Sequence, residues 1–142
     1  MSDIQIRPYQ LSDQVQVVIL WQICDLTRPW NNPEKDIERK LSVQSELFLV
    51  MEDNGKIIGT IMGGYDGHRG NIYYLAIHPD HQKSGYGKFL MEEMEKRFLA
   101  MGCPKSHVMI RTSNLAVQSY YEAQNYDAQD CILYGKRLIP DT

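Results

Sequence analysis

A mixed β-sheet with helices on both faces and one parallel strand pair is the fold predicted for this 142-residue chain. Three observations predict it. Alternating and helical hydrophobic periods succeed one another along the chain. Asn54-Gly55 lies between two apolar runs, the strongest short hairpin signal, so part of the sheet is antiparallel. A strand–helix–strand passage over residues 72–111 needs a right-handed crossover, which makes its two strands parallel. The length suits a single domain over 1–142, and 43% apolar with 23% charged residues is ordinary globular composition.

Asp3 to Tyr9 alternates, with Ile4 and Ile6 on one face, and reads as a strand. Ser12 is placed to cap a helix with an inward stripe of Val15, Val18, Ile19 and Ile23. Asn32-Pro33 opens a second helix, where Glu34 and Asp36 suit the positive end and Ile37 and Leu41 point inward. Leu47–Met51 and Ile57–Met62 are the hairpin strands. Asp66-Gly67 and Gly70 turn the chain into a strand over Ile72–His78, which Pro79 stops. From Gly85 to Met101 the period is helical, with Leu90, Met91, Met94, Phe98 and Met101 on one face. Glu92/Lys96 and Glu93/Arg97 pair on the other face, and Gly102 and Pro104 end the helix. His107–Arg111 reads as a strand, Asn114 caps a helix through Ala123, and Cys131–Ile139 reads as a last strand.

A net charge of -3 points away from nucleic acid, whose partners carry a strongly basic face. Cys24, Cys103 and Cys131 are odd in number and widely spaced, with no CxxC pair, so they read as free buried thiols rather than a disulfide or metal framework. The start MSDIQIRPYQ has no apolar signal region, and no run approaches membrane-spanning length. The expectation is a cytoplasmic protein with no nucleic-acid, membrane or metal partner.

The stretch HQKSGYGKFL carries the chemistry. A dinucleotide fingerprint would need glycine where Leu90 stands; a P-loop would need glycine at Gln82 and Ser or Thr at Phe89. What remains is Gln-x-x-Gly-x-Gly between a strand and a helix start. Backbone amides of Lys83 to Lys88 can converge there on a pyrophosphate, with Gly85 and Gly87 allowing close approach and Lys83 and Lys88 adding charge. A glycine-rich helix start that binds nothing is the alternative.

The segment LAIHPDHQKSGYG resembles the acetyl-CoA-binding signature of the GNAT superfamily of N-acetyltransferases, and NLAVQSYYEAQNY resembles its second motif, with Asn114, Tyr121 and Tyr126 in the family's spacing. CDLTRPWNNPEKDIERKL, GGYDGHRGNIYYL and GKRLI narrow the resemblance to an uncharacterised bacterial member. The resemblance implies an α/β, GNAT-like, mostly antiparallel sheet with a central parallel strand pair. It implies that acetyl-CoA is the cosubstrate. Leu75, Ala76 and Ile77 match the strand that pairs with the pantetheine arm. Gln82, Lys83, Ser84, Gly85, Tyr86, Gly87 and Lys88 match the pyrophosphate loop; Asn114 matches a residue near the cofactor, and Tyr121 the acid that protonates the leaving thiolate. Asn125 replaces a usual glycine, Val117 a common alanine, and Met109 the glutamate base of some members. One strand is read after the last helix, so the presence of the family's seventh strand is left open.

The implied reaction is direct attack of a primary amine, from a small molecule, an amino acid or a peptide N-terminus, on the thioester. From composition alone Tyr121 reads as a core aromatic beside Tyr120; in the motif it reads as the acid. Asp66, His68, Tyr73 and Asp25, or water, are candidates for the proton acceptor. An α-amine, with a pKa near 7.7–8.0, is easier to deprotonate than a lysine near 10.4 by about 3.4 kcal/mol. Arg28 and Trp30 stand in DLTRPWNNPE, which matches the family's acceptor-side connection; the alternative is that Trp30 packs the loop and Arg28 pairs with Asp25 or Glu34. For His68, as for His78, His81 and His107, the favoured reading is a surface or hydrogen-bonded structural role. A non-catalytic acyl-CoA sensor or assembly module is the rival function, and a homodimer is left open.

Overall fold

Asn54 and Gly55 both adopt positive φ, 51° and 83°, and join two antiparallel strands through a two-residue turn, as their sequence predicts. The computed structural model describes residues 3–141. Five strands form one sheet in sequence order: β1 (Ile4–Pro8), β2 (Phe48–Asp53), β3 (Lys56–Tyr65), β4 (Gly70–Ile77) and β5 (Ser106–Val108). All neighbours are antiparallel except β4 and β5, which are parallel. Four α-helices complete it: α1 (Gln14–Ile23), α2 (Pro33–Lys40), α3 (Tyr86–Ala100) and α4 (Leu115–Glu122). The residues up to Val108, with Asp141, form one compact unit, and Met109–Pro140 form a second.

In the first unit, adjacent residues of β3 face different helices. Thr60 accepts a hydrogen bond from Trp21 Nε1 of α1 at 2.9 Å. A Cβ on neighbouring Gly59 would instead meet Leu90 of α3 at 3.2 Å. Helices therefore cover both faces. α3 lies so close to the sheet that a Cβ on Gly70 would reach Phe98 at 2.7 Å, so that position requires glycine. Leu90, Met91, Met94 and Phe98 are buried as their spacing predicts, but Met101, the C-cap, is exposed. Glu93 pairs with Arg97 at 3.2 Å, whereas Glu92 pairs with Lys88, one turn earlier, rather than with Lys96.

α1 departs most from its sequence reading. The helix buries Val17, Leu20 and Trp21 and exposes Val15, Ile19 and Ile23. Its apolar residues run nearly all round, so spacing alone selects no face; Trp21, which stacks on Phe48 and Tyr74, sets the phase. Ser12 is not the cap either. A 3-10 turn over Leu11–Asp13 precedes α1, and Asp13 accepts from the Gln10 amide at 2.8 Å and from Arg7. α2 behaves as predicted, with the Asn32 side chain accepting from the Lys35 amide at 3.1 Å and Pro33 in the first turn.

In the second unit, Asn114 caps α4 by accepting from the Val117 amide, and Asn125 adopts the left-handed conformation (φ 68°) that ends it. The Tyr126 amide donates back to Tyr121 O at 3.1 Å, closing the helix end. Two predicted strands are cut back. β5 stops at Val108 instead of Arg111, and Cys131–Ile139 forms no strand. Ile132, Leu133, Tyr134, Leu138 and Ile139 are exposed there. A strand exists only with a ladder partner, and a hydrophobic pattern does not supply one. Cys131 is likewise exposed and Cys24 half-buried; of the three free thiols only Cys103 is buried as expected. No helix among the described residues is long and apolar enough to cross a membrane.

Candidate active site

β4 changes character halfway along. Its first residues, Gly70, Asn71 and Ile72, are flanked by β3 on one side and β5 on the other. From Tyr73 onward only β3 is paired with it among the described residues, so one backbone edge of Tyr73–Ile77 carries no ladder. A bulge falls at this transition. Thr60 pairs with Ala76 and Met62 with Tyr73, so Ile61 alone stands opposite Tyr74 and Leu75. Tyr74 makes the bulge with φ 53°, a left-handed conformation that is uncommon for a residue bearing a Cβ. An unpaired edge beside a bulge is the backbone arrangement that accepts an extended ligand with amide groups. Leu75, Ala76 and Ile77, singled out in the sequence, lie on this edge.

Pro79 ends β4, and a 3-10 turn over Pro79–His81 leads into the loop. Gln82 ties the loop to the strand, its Nε2 donating to Ile77 O at 3.0 Å; the Cys24 thiol donates to the same carbonyl at 3.3 Å. Lys83 and Gly85 are both left-handed, with φ 65° and 81°. Alternating left- and right-handed residues turn successive amides toward one side, the concave arrangement that binds anions. The first amide bonded back into α3 is that of Phe89, to Gly85 O. The amides of Tyr86, Gly87 and Lys88 precede it, and no side chain caps the helix. A Cβ on Gly85 would meet nothing within 4 Å, so space in front of the turn is open. A fifteen-residue helix thus presents its positive end and three free donors to an open face. These features fit the pyrophosphate of acetyl-CoA. Lys83 and Lys88 are exposed beside them, Lys88 within 3.9 Å of Glu92.

The other candidates are placed as follows. Tyr121 is buried at 8% exposure in the second unit, with the rings of Tyr120 and Tyr126 edge-on at 5.1 and 5.8 Å. Burial first, and then Tyr120, push its phenol well above the ordinary tyrosine range, so it holds its proton at neutral pH. Asn114 uses its side-chain oxygen as the α4 cap. Arg28 donates to Asp25 O, Thr27 O and the Asp25 carboxylate, which is the internal pairing weighed against an acceptor role. Trp30 is half exposed. Asp66 receives the amides of His68 and Arg69, both at 2.8 Å, which hold its carboxyl below the usual range and make it a poor proton acceptor. It and His68 belong to the β3–β4 turn, at the opposite end of β4 from the loop. Tyr73 is partly exposed on β4, with its phenol pushed up by burial.

Sequence reasoning missed Tyr74. Its ring stacks on Trp21 with centroids 3.8 Å apart. Its hydroxyl donates to Asp36 at 2.6 Å, and its carbonyl accepts from Thr60 Oγ1 at 2.8 Å. Two consecutive tyrosines in an otherwise aliphatic run, Ile72–Ile77, were the signal available.

Residues 15–126 match the model of the acetyltransferase (GNAT) family. An uncharacterized N-acetyltransferase of Yersinia pestis is 53% identical over 137 residues, covering 96% of this chain and 97% of that protein. An acetyltransferase of Pectobacterium atrosepticum is similar to the same degree, 53% over 137 residues with the same coverage. Among solved structures, the aminoglycoside N-acetyltransferase AAC(6')-Iy in complex with CoA superposes with a TM-score of 0.77 at 13% identity, over 98% of this chain and 97% of that one. An uncapped helix start after a bulged, half-free strand, and a family match that takes in both sequence motifs, lead to one conclusion: the chain belongs to the GNAT family of acetyltransferases, enzymes that draw their acetyl group from acetyl-CoA.

Proposed function

We propose that the chain acts as one catalytic domain that acetylates a primary amine by direct attack in a ternary complex. The observation that carries this reading is the open start of α3, where three amides have neither an intrahelical nor a side-chain partner. Acetyl-CoA supplies the acetyl group already activated as a thioester. The loop from Gln82 to Lys88 holds the pyrophosphate, and the free edge at Leu75–Ile77 aligns the pantetheine amides. The backbone N–H of Ala76 or Ile77 steadies the charge that develops on the carbonyl oxygen. As the N–C bond forms and the C–S bond breaks, Tyr121 hands its phenolic proton to the departing sulfur. The phenol carries its proton at neutral pH, while its raised pKa makes it a weaker donor than a free tyrosine, so the role rests on its place in the motif.

The acceptor class follows from the proton the amine must lose. Asp25 is bound to Arg28 and Asp66 is bound within its turn. Neither is a free base, so an amine of low pKa, an α-amine, deprotonating through water, is the acceptor that fits. Arg28 and Trp30 bound the acceptor side, with the half-exposed indole offering a ring to stack against. Release of free CoA thiol, measured across a panel of α-amines and lysine-like amines, tests the proposal. Acceptor-dependent release that favours α-amines is expected. Acetyl-CoA binding without such release would instead establish a sensor or assembly module.

A further inference from the structure

Tyr74 holds a left-handed backbone conformation that is unfavourable outside glycine, and such strain persists only where the surroundings over-determine it. Here they do. The ring is stacked on Trp21, the carbonyl is held by Thr60 Oγ1, and Thr60 Oγ1 is itself fixed by Trp21 Nε1 at 2.9 Å. The remaining contact comes from α2, where Asp36 Oδ2 accepts from the Tyr74 hydroxyl at 2.6 Å. Asp36 is oriented in turn by Arg39, 3.7 Å from its other oxygen, and Arg39 is paired with the buried carboxylate of Asp141 at 2.7 Å. One chain of contacts therefore runs from Asp141, through α2, to the bulge.

We infer that Asp36 is a positioning residue for acetyl transfer: by fixing the Tyr74 hydroxyl it locks the β4 bulge and so sets the line of the Leu75–Ile77 edge. The inference rests on the proposed function, and it separates two tasks within the cofactor site. The loop and the α3 start, which grip phosphate, do not depend on the clamp. The strand edge, which would align the acyl end, does. Loosening the clamp should therefore lower turnover while leaving the affinity for CoA in place, because a misplacement of about 1 Å near the reacting centre already costs up to about 100-fold in rate.

Three variants test it: Asp36→Ala, Asp36→Asn and Tyr74→Phe. Asn still offers an oxygen to the Tyr74 hydroxyl, whereas Ala and the Phe ring remove the bond. Expected are kcat values about 10- to 100-fold lower for Asp36→Ala and Tyr74→Phe, with the CoA dissociation constant within about threefold of wild type by calorimetry, and near-complete rescue in Asp36→Asn. Hydrogen exchange without ligand gives a second readout. The amides of Tyr73–Ile77 should exchange faster in Asp36→Ala and Tyr74→Phe, and at the wild-type rate in Asp36→Asn. An Asn variant as slow as Ala would overturn the inference, since the carboxylate would then be acting on the reaction itself. Wild-type turnover and exchange in both Asp36→Ala and Tyr74→Phe would also overturn it. Should Asp36→Ala fail to fold, Tyr74→Phe, which keeps the ring on Trp21, carries the test. A wild-type protein that binds CoA but acetylates no amine would defeat the functional reading alone, and the exchange data would still decide the clamp.

Discussion

Helices α2 and α4 begin on asparagines, Asn32 and Asn114, whose side chains accept an amide of the first turn. Helix α3, longer than either, begins on Gly85 with no side-chain cap. The first two starts are closed by the protein itself. Leaving the third unclosed costs stability, since unsatisfied first-turn amides are worth roughly 0.5–2 kcal/mol when a cap supplies their partner. On the proposed function, the open end of α3, which follows the left-handed residues Lys83 and Gly85, is where the ligand would complete the structure. The contrast also divides the proposed roles: α3 would offer backbone donors to an anion, whereas the buried phenol of Tyr121 on α4 would supply a proton.

Substitutions on the two helices should break function in different places. The largest effect is expected from Tyr121→Phe, which keeps the ring but removes the proton. A general acid typically contributes about 10²–10⁴-fold, so turnover should fall by that factor while CoA affinity holds. Because burial raises the Tyr121 pKa, the alkaline decline of the wild-type rate should begin above the ordinary tyrosine value of about 10, and the Phe variant should lack that limb. Rate against pH for both proteins checks this. Next in size is Gly85→Asp. A carboxylate set against the pyrophosphate should weaken CoA binding on the order of 10²-fold, since like-charge juxtaposition costs several kcal/mol. Calorimetry on the folded variant measures it, and Gly87→Asp should act in the same direction.

The closed helix starts should respond in stability alone. Asn32→Ala should cost about 0.5–2 kcal/mol in urea denaturation and leave CoA affinity unchanged. The smallest effect concerns the turn before α1, closed by Asp13. Burial raises the Asp13 carboxyl, but hydrogen bonds from Arg7 and the Gln10 amide outweigh it and hold the pKa below its usual value. A depressed folded pKa means that this stabilisation is complete above the unfolded value of about 3.9 and is lost as pH falls through the folded one. Wild type should therefore lose more stability than Asp13→Asn between about pH 6 and about pH 2, as urea midpoints at the two pH values would show.

Much of this was legible in the sequence because it depends on local chemistry. Asn54-Gly55, Asn32-Pro33, Asn114 and the Gln82–Lys88 loop each dictate a backbone shape through residues that few other shapes favour. Two kinds of feature were not legible. The face of α1 depends on Trp21 meeting Phe48 and Tyr74, residues 27 and 53 positions away, and no period within a nearly uniform apolar helix records that. The β4 bulge is likewise a tertiary product. Tyr74 has no intrinsic preference for a left-handed backbone, and the contacts that hold it there, with Trp21, Thr60 and Asp36, come from distant parts of the chain. Residues 131–139 show the converse error, a strand-like pattern without a strand to pair with.

The central claim is that the open start of α3 is the seat of the pyrophosphate. The most direct measurement is a titration of the isotopically labelled protein with CoA, followed by amide chemical shifts and hydrogen exchange. The amides of Tyr86, Gly87 and Lys88 should move most and become protected from exchange, while the Lys35 and Val117 amides, already bonded to Asn32 and Asn114, should keep their ligand-free exchange rates. CoA binding that left Tyr86, Gly87 and Lys88 unshifted and unprotected would contradict it.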